Sequence, residues 1–127
     1  MKKPWLIAPG ACLVLAIAAS VSGEPSAGDA KAGEALYQDR CALCHLAEGG
    51  GEGPTLRGVY GRPAAAVAGF TYTDALKASK LSWTGPNLDR FLADPAKAVP
   101  GTGMPISVPD AKERADLIAY FASAAAR

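Results

Sequence analysis

The sequence predicts an all-α domain of short helices joined by long loops, and three observations point there. Towards the end of the chain Leu117, Tyr120, Phe121 and Ala124 repeat at i, i+3, i+4 and i+7, the spacing of one helix face. Near residue 30, Gly33, Leu36 and Tyr37 repeat the first part of that spacing behind Asp29, a residue suited to capping a helix start. Between the two, Thr73 and Thr84 each stand where a hydroxyl can cap a short helix. At 127 residues, 50% of them hydrophobic, the chain has material for one domain with a modest core. The formal charge of +1 gives no reason to expect nucleic-acid binding.

Residues 1–23 read as an export signal ahead of a domain at 24–127. Lys2 and Lys3 form a positive end, and an apolar run from Leu6 to Ala19 is broken by Pro9 and Gly10. Small residues from Ala18 to Gly23 then suit cleavage. The alternative is an uncleaved anchor, against which stand Pro9 and a run short of the roughly 20 apolar residues a spanning helix needs. Cys12 does not make the segment a lipoprotein signal, because Pro9 occupies the position three residues earlier where an apolar residue is wanted. No stable membrane insertion of the mature domain is expected. Loss of Lys2 and Lys3 from thirteen basic residues leaves eleven against twelve acidic ones, a net charge of −1.

The first helix is expected from Asp29 onward. Gly33 inside it costs about 1 kcal/mol relative to alanine, which suggests that another backbone comes close; a tolerated glycine near a frayed end is the plainer reading. After this helix comes Cys41-Ala42-Leu43-Cys44-His45, two thiols three residues apart followed at once by the sole histidine of the chain. This is the arrangement to which a haem is attached: each sulfur adds across a vinyl group as a thioether, and the next side chain ligates iron. A bare Cys-x-x-Cys also serves as a redox disulfide or half a zinc site, but a four-ligand zinc site lacks its remaining ligands, Cys12 lying in the export segment.

Leu46 to Gly53, with Gly49-Gly50-Gly51 and two glutamates, reads as a solvated loop. Thr73 to Ala78 reads as a short helix. Thr84 to Ala93 reads as another, with Leu88, Phe91 and Leu92 on one side and Asp94-Pro95 ending it. Pro100-Gly101-Thr102-Gly103-Met104-Pro105 is a loop whose prolines and glycines can aim one side chain inward. A lone methionine is ordinarily core filling, yet with the haem motif upstream Met104 becomes the candidate for the second axial position. The last helix is expected to start around Pro109, with Ser107 and Asp110 forming a capping box, and Arg127 at its negative end.

Taken with the pentapeptide, Gly53-Pro54-Thr55-Leu56, Gly58-Val59-Tyr60-Gly61-Arg62, Gly69-Phe70-Thr71-Tyr72-Thr73-Asp74-Ala75, Leu81-Ser82-Trp83, Pro100 to Met104 and Arg114 to Tyr120 occur in the order seen in class I cytochromes c. From about Gly28 to the end the chain resembles the branch of mitochondrial cytochrome c and bacterial cytochrome c2. That resemblance implies short helices wrapped around one haem c, covalent through Cys41 and Cys44, with His45 and Met104 as axial ligands. It makes the Pro54 carbonyl the acceptor for the second ring nitrogen of the histidine, the bond that ordinarily sets the tautomer of a metal-bound imidazole. It also makes Gly33 and the aromatic after it cross the last helix at Leu117 and Tyr120.

A buried haem brings two carboxylates that need donors. Arg62, Tyr72, Trp83 and Thr102 can supply them, and match the propionate-facing positions of the family, although singly an arginine is usually solvated and a tryptophan usually core. Departures exist too: Leu76 stands where the family often has asparagine, Phe91 where it commonly has tyrosine, and Gly103 where it often has lysine. Lys97 matches a lysine that replaces the methionine at alkaline pH.

The implied function is electron transfer, not catalysis: a six-coordinate iron offers no open position, and His/Met ligation raises the reduction potential. The implied setting is the periplasm, with a redox protein as donor and another as acceptor, whether membrane oxidoreductase, oxidase or periplasmic dehydrogenase, and the carrier itself a monomer. The alternative is a dedicated cytochrome c subunit of a periplasmic dehydrogenase complex, which shares the fold and differs in its partner face.

Overall fold

The computed structural model describes Pro4 and residues 27–127, so the expected export segment lies, Pro4 apart, outside the described residues. Among the described residues five α-helices follow in chain order: α1 (Ala30–Arg40), α2 (Asp74–Ala78), α3 (Gly85–Ala93), α4 (Pro95–Ala98) and α5 (Ala111–Ala122), with one 3₁₀ turn at Ala124–Ala126. Among the described residues there is no strand, only an isolated antiparallel bridge between Pro63 and Ser82. None of the described helices is long and apolar enough to cross a membrane.

Each helix starts on the side chain the sequence offers. The Asp29 carboxylate accepts from the N–H groups of Lys31 and Ala32, Thr73 Oγ1 from Leu76, and Thr84 Oγ1 from Asn87. These bonds satisfy N–H groups that a helix start leaves without partners. Asp94 has two tasks: it ends α3 and caps α4, where its Oδ1 accepts from Lys97 N at 3.1 Å. The α4 turn was not expected, because four residues between Pro95 and Pro100 are too few to show a helical period.

The start of α5 differs from expectation. Asp110 alone caps it, accepting from Glu113 N at 2.9 Å, while Ser107 is exposed three residues earlier. The segment before the helix is anchored instead by Val108, 2% exposed, whose N–H donates to Leu92 O at 2.7 Å. The far end differs as well. The chain leaves the α-helix at Ser123 (φ −77°, ψ 162°), so Ala126 rather than Ala124 is buried, and Arg127 follows the 3₁₀ turn instead of closing α5.

Helices α1 and α5 make the principal contact, with α3 against α5 beside it. A Cβ on Gly28 would lie 1.9 Å from Ala115 O, and one on Gly33 2.9 Å from Tyr120 Cβ, so both glycines allow the chain to lie directly on α5. Leu117, 1% exposed, stands at the centre with Tyr37, Tyr120 and Phe121 around it. Fully burying a side chain of this kind is worth about 1.5–3 kcal/mol. Across the top of the crossing Arg40 makes a two-pronged pair with Glu113 at 2.7 and 2.9 Å.

Candidate haem site

The pentapeptide continues directly from α1. Cys41 is the C-cap residue, and both Cys41 N and Ala42 N donate to Tyr37 O at 2.9 Å. His45 N returns to Cys41 O at 2.9 Å and Cys44 N to the same oxygen at 3.2 Å. Residues 41–45 therefore form one tight turn carrying two free, half-buried thiols and the imidazole. Burial pushes the Cys41 thiol above its ordinary range, against a smaller lowering by Arg40.

The loop behind the histidine folds back upon it. Gly53 N donates to Cys44 O at 2.9 Å, and a Cβ on Gly53 would stand 2.4 Å from His45 Cε1, so the ring lies against a residue that must lack a side chain. The next carbonyl takes the imidazole: His45 Nδ1 donates to Pro54 O at 2.7 Å. With Nδ1 so engaged, Nε2 carries the lone pair and is the atom able to bind a metal. At the main chain of the same residue, Tyr37 Oη donates to His45 O at 2.8 Å. Burial raises the Tyr37 phenol above its ordinary range, with Tyr120 adding to the effect.

Met104 is half-buried against the same core that Cys41 packs on. Its loop turns through Thr102 N donating to Val99 O at 3.0 Å and Gly101 at φ +94°, a left-handed conformation that favours glycine. Thr102 Oγ1 accepts from Met104 N at 3.5 Å. Downstream, Arg114 donates to Val108 O at 3.0 Å and Pro109 O at 2.7 Å while pairing with Asp89 at 2.7 Å. This guanidinium holds the C-terminal limb of the loop to α3 and α5.

Of the expected propionate-facing residues, the fold joins Arg62 and Trp83 through their main chains: Trp83 N donates to Arg62 O at 2.9 Å. The Arg62 guanidinium donates to Arg57 O at 2.7 Å and Thr55 O at 3.1 Å, and burial lowers its pKa. Tyr72 Oη accepts from Val67 N at 3.1 Å. Trp83 is 8% exposed beneath Phe91, ring centroids 4.9 Å apart. Thr102 Oγ1 bonds to the main chain of Met104. Among the described residues none of these four side chains bonds to another of the four.

These residues fit a covalent haem. Among the described residues neither thiol forms a disulfide, the imidazole presents one free nitrogen, a thioether stands on a separate constrained loop, and no cluster of three or more His, Cys, Asp or Glu side chains could serve as a metal cage. Sequence reasoning missed three contributors: Gly53 beneath the ring, the Tyr37 hydroxyl, and Arg114. Gly53 carries a faint signal, a glycine immediately before Pro54; Tyr37 and Arg114 stand in helical segments the sequence marks, but nothing there points to these bonds.

Comparison with known proteins agrees. The family model described as cytochrome c matches residues 30–125. Cytochrome c of Guizotia abyssinica is 39% identical over 107 residues, covering 81% of this chain and 96% of that protein. Cytochrome c-type cyt cy of Rhodobacter capsulatus is 45% identical over 96 residues, 74% of this chain and 48% of that protein. The solved structure of cytochrome cH from Methylobacterium extorquens superposes with a TM-score of 0.70 at 46% identity, covering 74% of this chain and 97% of that one. The chain belongs to the cytochrome c family: it is a class I cytochrome c, an electron carrier and not an enzyme.

Proposed function

We propose that the protein is a periplasmic carrier of single electrons on one haem c, joined through Cys41 and Cys44 and ligated by His45 and Met104. The observation that carries this reading is the bond from His45 Nδ1 to Pro54 O at 2.7 Å, which commits the only histidine to presenting Nε2. When bound, the haem supplies a one-electron iron couple.

The residues of the chain do the rest. Pro54 keeps the imidazole in one tautomer. The constrained loop around Met104 offers a soft thioether, a ligand that favours the reduced metal. Arg62, Tyr72, Trp83 and Thr102 are proposed to receive the propionates, Pro54 and Gly53 to seat the histidine. His45 and Met104, the residues that would hold the iron, both stand on anchored segments, so a one-electron change there would require little movement of the chain, as a carrier needs. Export by residues 1–23 would put the domain at 24–127 in the compartment where its partners are a membrane oxidoreductase, an oxidase or a periplasmic dehydrogenase, with the carrier itself monomeric.

The test is spectroscopic. Ferric holoprotein at neutral pH should show the weak near-infrared iron–sulfur band, and Met104→Ala should lose it and bind added imidazole. A wild-type protein that lacks the band, or that binds imidazole as readily as the variant, would refute the carrier reading. Isolation as a free monomer, rather than with a dehydrogenase subunit, separates the carrier from a dedicated subunit.

A further inference from the structure

We propose that Tyr37 is a positioning residue for the axial imidazole, tying the main chain of His45 to the crossing of α1 and α5. This rests on His45 being the iron ligand. The phenol oxygen lies 2.8 Å from His45 O, and among the described residues no main-chain N–H reaches that carbonyl. The peptide that follows opens the loop at Leu46–Gly53, where Gly49 and Gly50 both adopt φ +81° in open space. The loop folds on itself through Gly49 N to Leu46 O at 3.0 Å and Thr55 Oγ1 to Ala47 O at 2.9 Å, and the phenol is what ties His45 O, just ahead of it, to α1.

Tyr37 is itself held firmly. It is 8% exposed, with the Tyr120 ring 5.5 Å away and the Phe121 ring 6.3 Å away edge-on. The imidazole is thus gripped at two places: Pro54 O fixes the ring nitrogen, and Tyr37 fixes the backbone from which the ring hangs. A ring held at only one of these can rotate about its side-chain torsions, changing the plane it presents to the iron. The hydroxyl also points the positive end of its bond dipole at the ligand residue, which disfavours the extra positive charge of the ferric state.

The experiment compares wild type, Tyr37→Phe and Tyr120→Phe as holoproteins, by proton NMR of the ferric haem methyls and by redox titration. Tyr37→Phe should alter the spread of the methyl shifts, which reports the imidazole plane, and should shift the potential downward. Tyr120→Phe removes a phenol from the same aromatic group, one not bonded to His45, and should leave both readouts unchanged. If Tyr37→Phe matches wild type in both, or Tyr120→Phe changes them equally, the proposal is overturned. Should Tyr37→Phe yield no holoprotein, 3-fluorotyrosine at position 37, a stronger donor, should raise the potential, and an unchanged value overturns it. Failure of His45 ligation would appear separately, as absence of strongly shifted ligand resonances in the wild type.

Discussion

A Cβ built on Gly33 would stand 2.0 Å from the carbonyl oxygen of Asp116, so α1 rests on the main chain of α5 with no room for a methyl group. The atom met is backbone, which cannot rotate away. Gly33→Ala should therefore destabilise the holoprotein by about 2–3 kcal/mol despite alanine's better helix propensity, the usual cost of overpacking. Guanidinium unfolding checks this. A loss below about 0.5 kcal/mol would show that the crossing tolerates side chains.

Asp116 makes stability acid-dependent. Its carboxylate accepts from Lys112 Nζ and from Asp29 N at 2.7 Å, and the lysine bond first, then the main-chain bond, holds its pKa below the usual carboxylate range. A pKa lowered by folding means stability fully present above the unfolded value of about 3.9 and lost as pH falls through the folded one. Between about pH 5 and pH 2, Asp116→Asn should lose less stability on acidification than wild type, although it starts less stable. Unfolding free energies measured across that range, if parallel for the two proteins, contradict the assignment.

Arg114 should govern how firmly Met104 is kept. Its bonds to Val108 O and Pro109 O restrain the limb that follows the methionine. With about 1.5 kcal/mol for a charge-assisted hydrogen bond, Arg114→Gln should lower the pH at which the iron–sulfur band disappears by on the order of one unit. Adding Lys97→Ala should move that midpoint back up if Lys97, exposed on α4, is the replacing ligand. A midpoint unmoved in Arg114→Gln would mean that Thr102 and Gly101 suffice.

Phe91 is 7% exposed against Trp83, where family relatives commonly place a tyrosine hydroxyl able to reach the methionine sulfur. Phe91→Tyr should withdraw electron density from that sulfur and raise the reduction potential. One hydrogen bond of about 1 kcal/mol corresponds to about 40 mV for one electron. Redox titration showing no rise would mean that the hydroxyl bonds elsewhere.

The helices were legible wherever their cause is local. Asp29, Thr73, Thr84 and Asp110 act on N–H groups two or three residues away, and the apolar spacing of Leu117, Tyr120 and Phe121 marks a buried face within two turns. The grouping of Cys41, Cys44 and His45 is local as well, since the segment closes on itself through Cys41 O. Signals failed where an element is too short to have a period, as at α4, or where the last periodic residue lies beyond the true helix end, as at Ala124.

By itself, then, the chain's order of residues determined an all-α domain, the place of the thiols and the imidazole, and the family to which they point, because these depend on groups within a turn of one another. Tertiary structure alone decided which atoms hold those groups still. The Tyr37 hydroxyl reaches His45 from eight positions away, Gly53 yields its missing side chain to the imidazole, and Arg114 joins Asp89 to the limb behind Met104. Such contacts follow from where the backbone turns back in space, and no spacing along the chain encodes that.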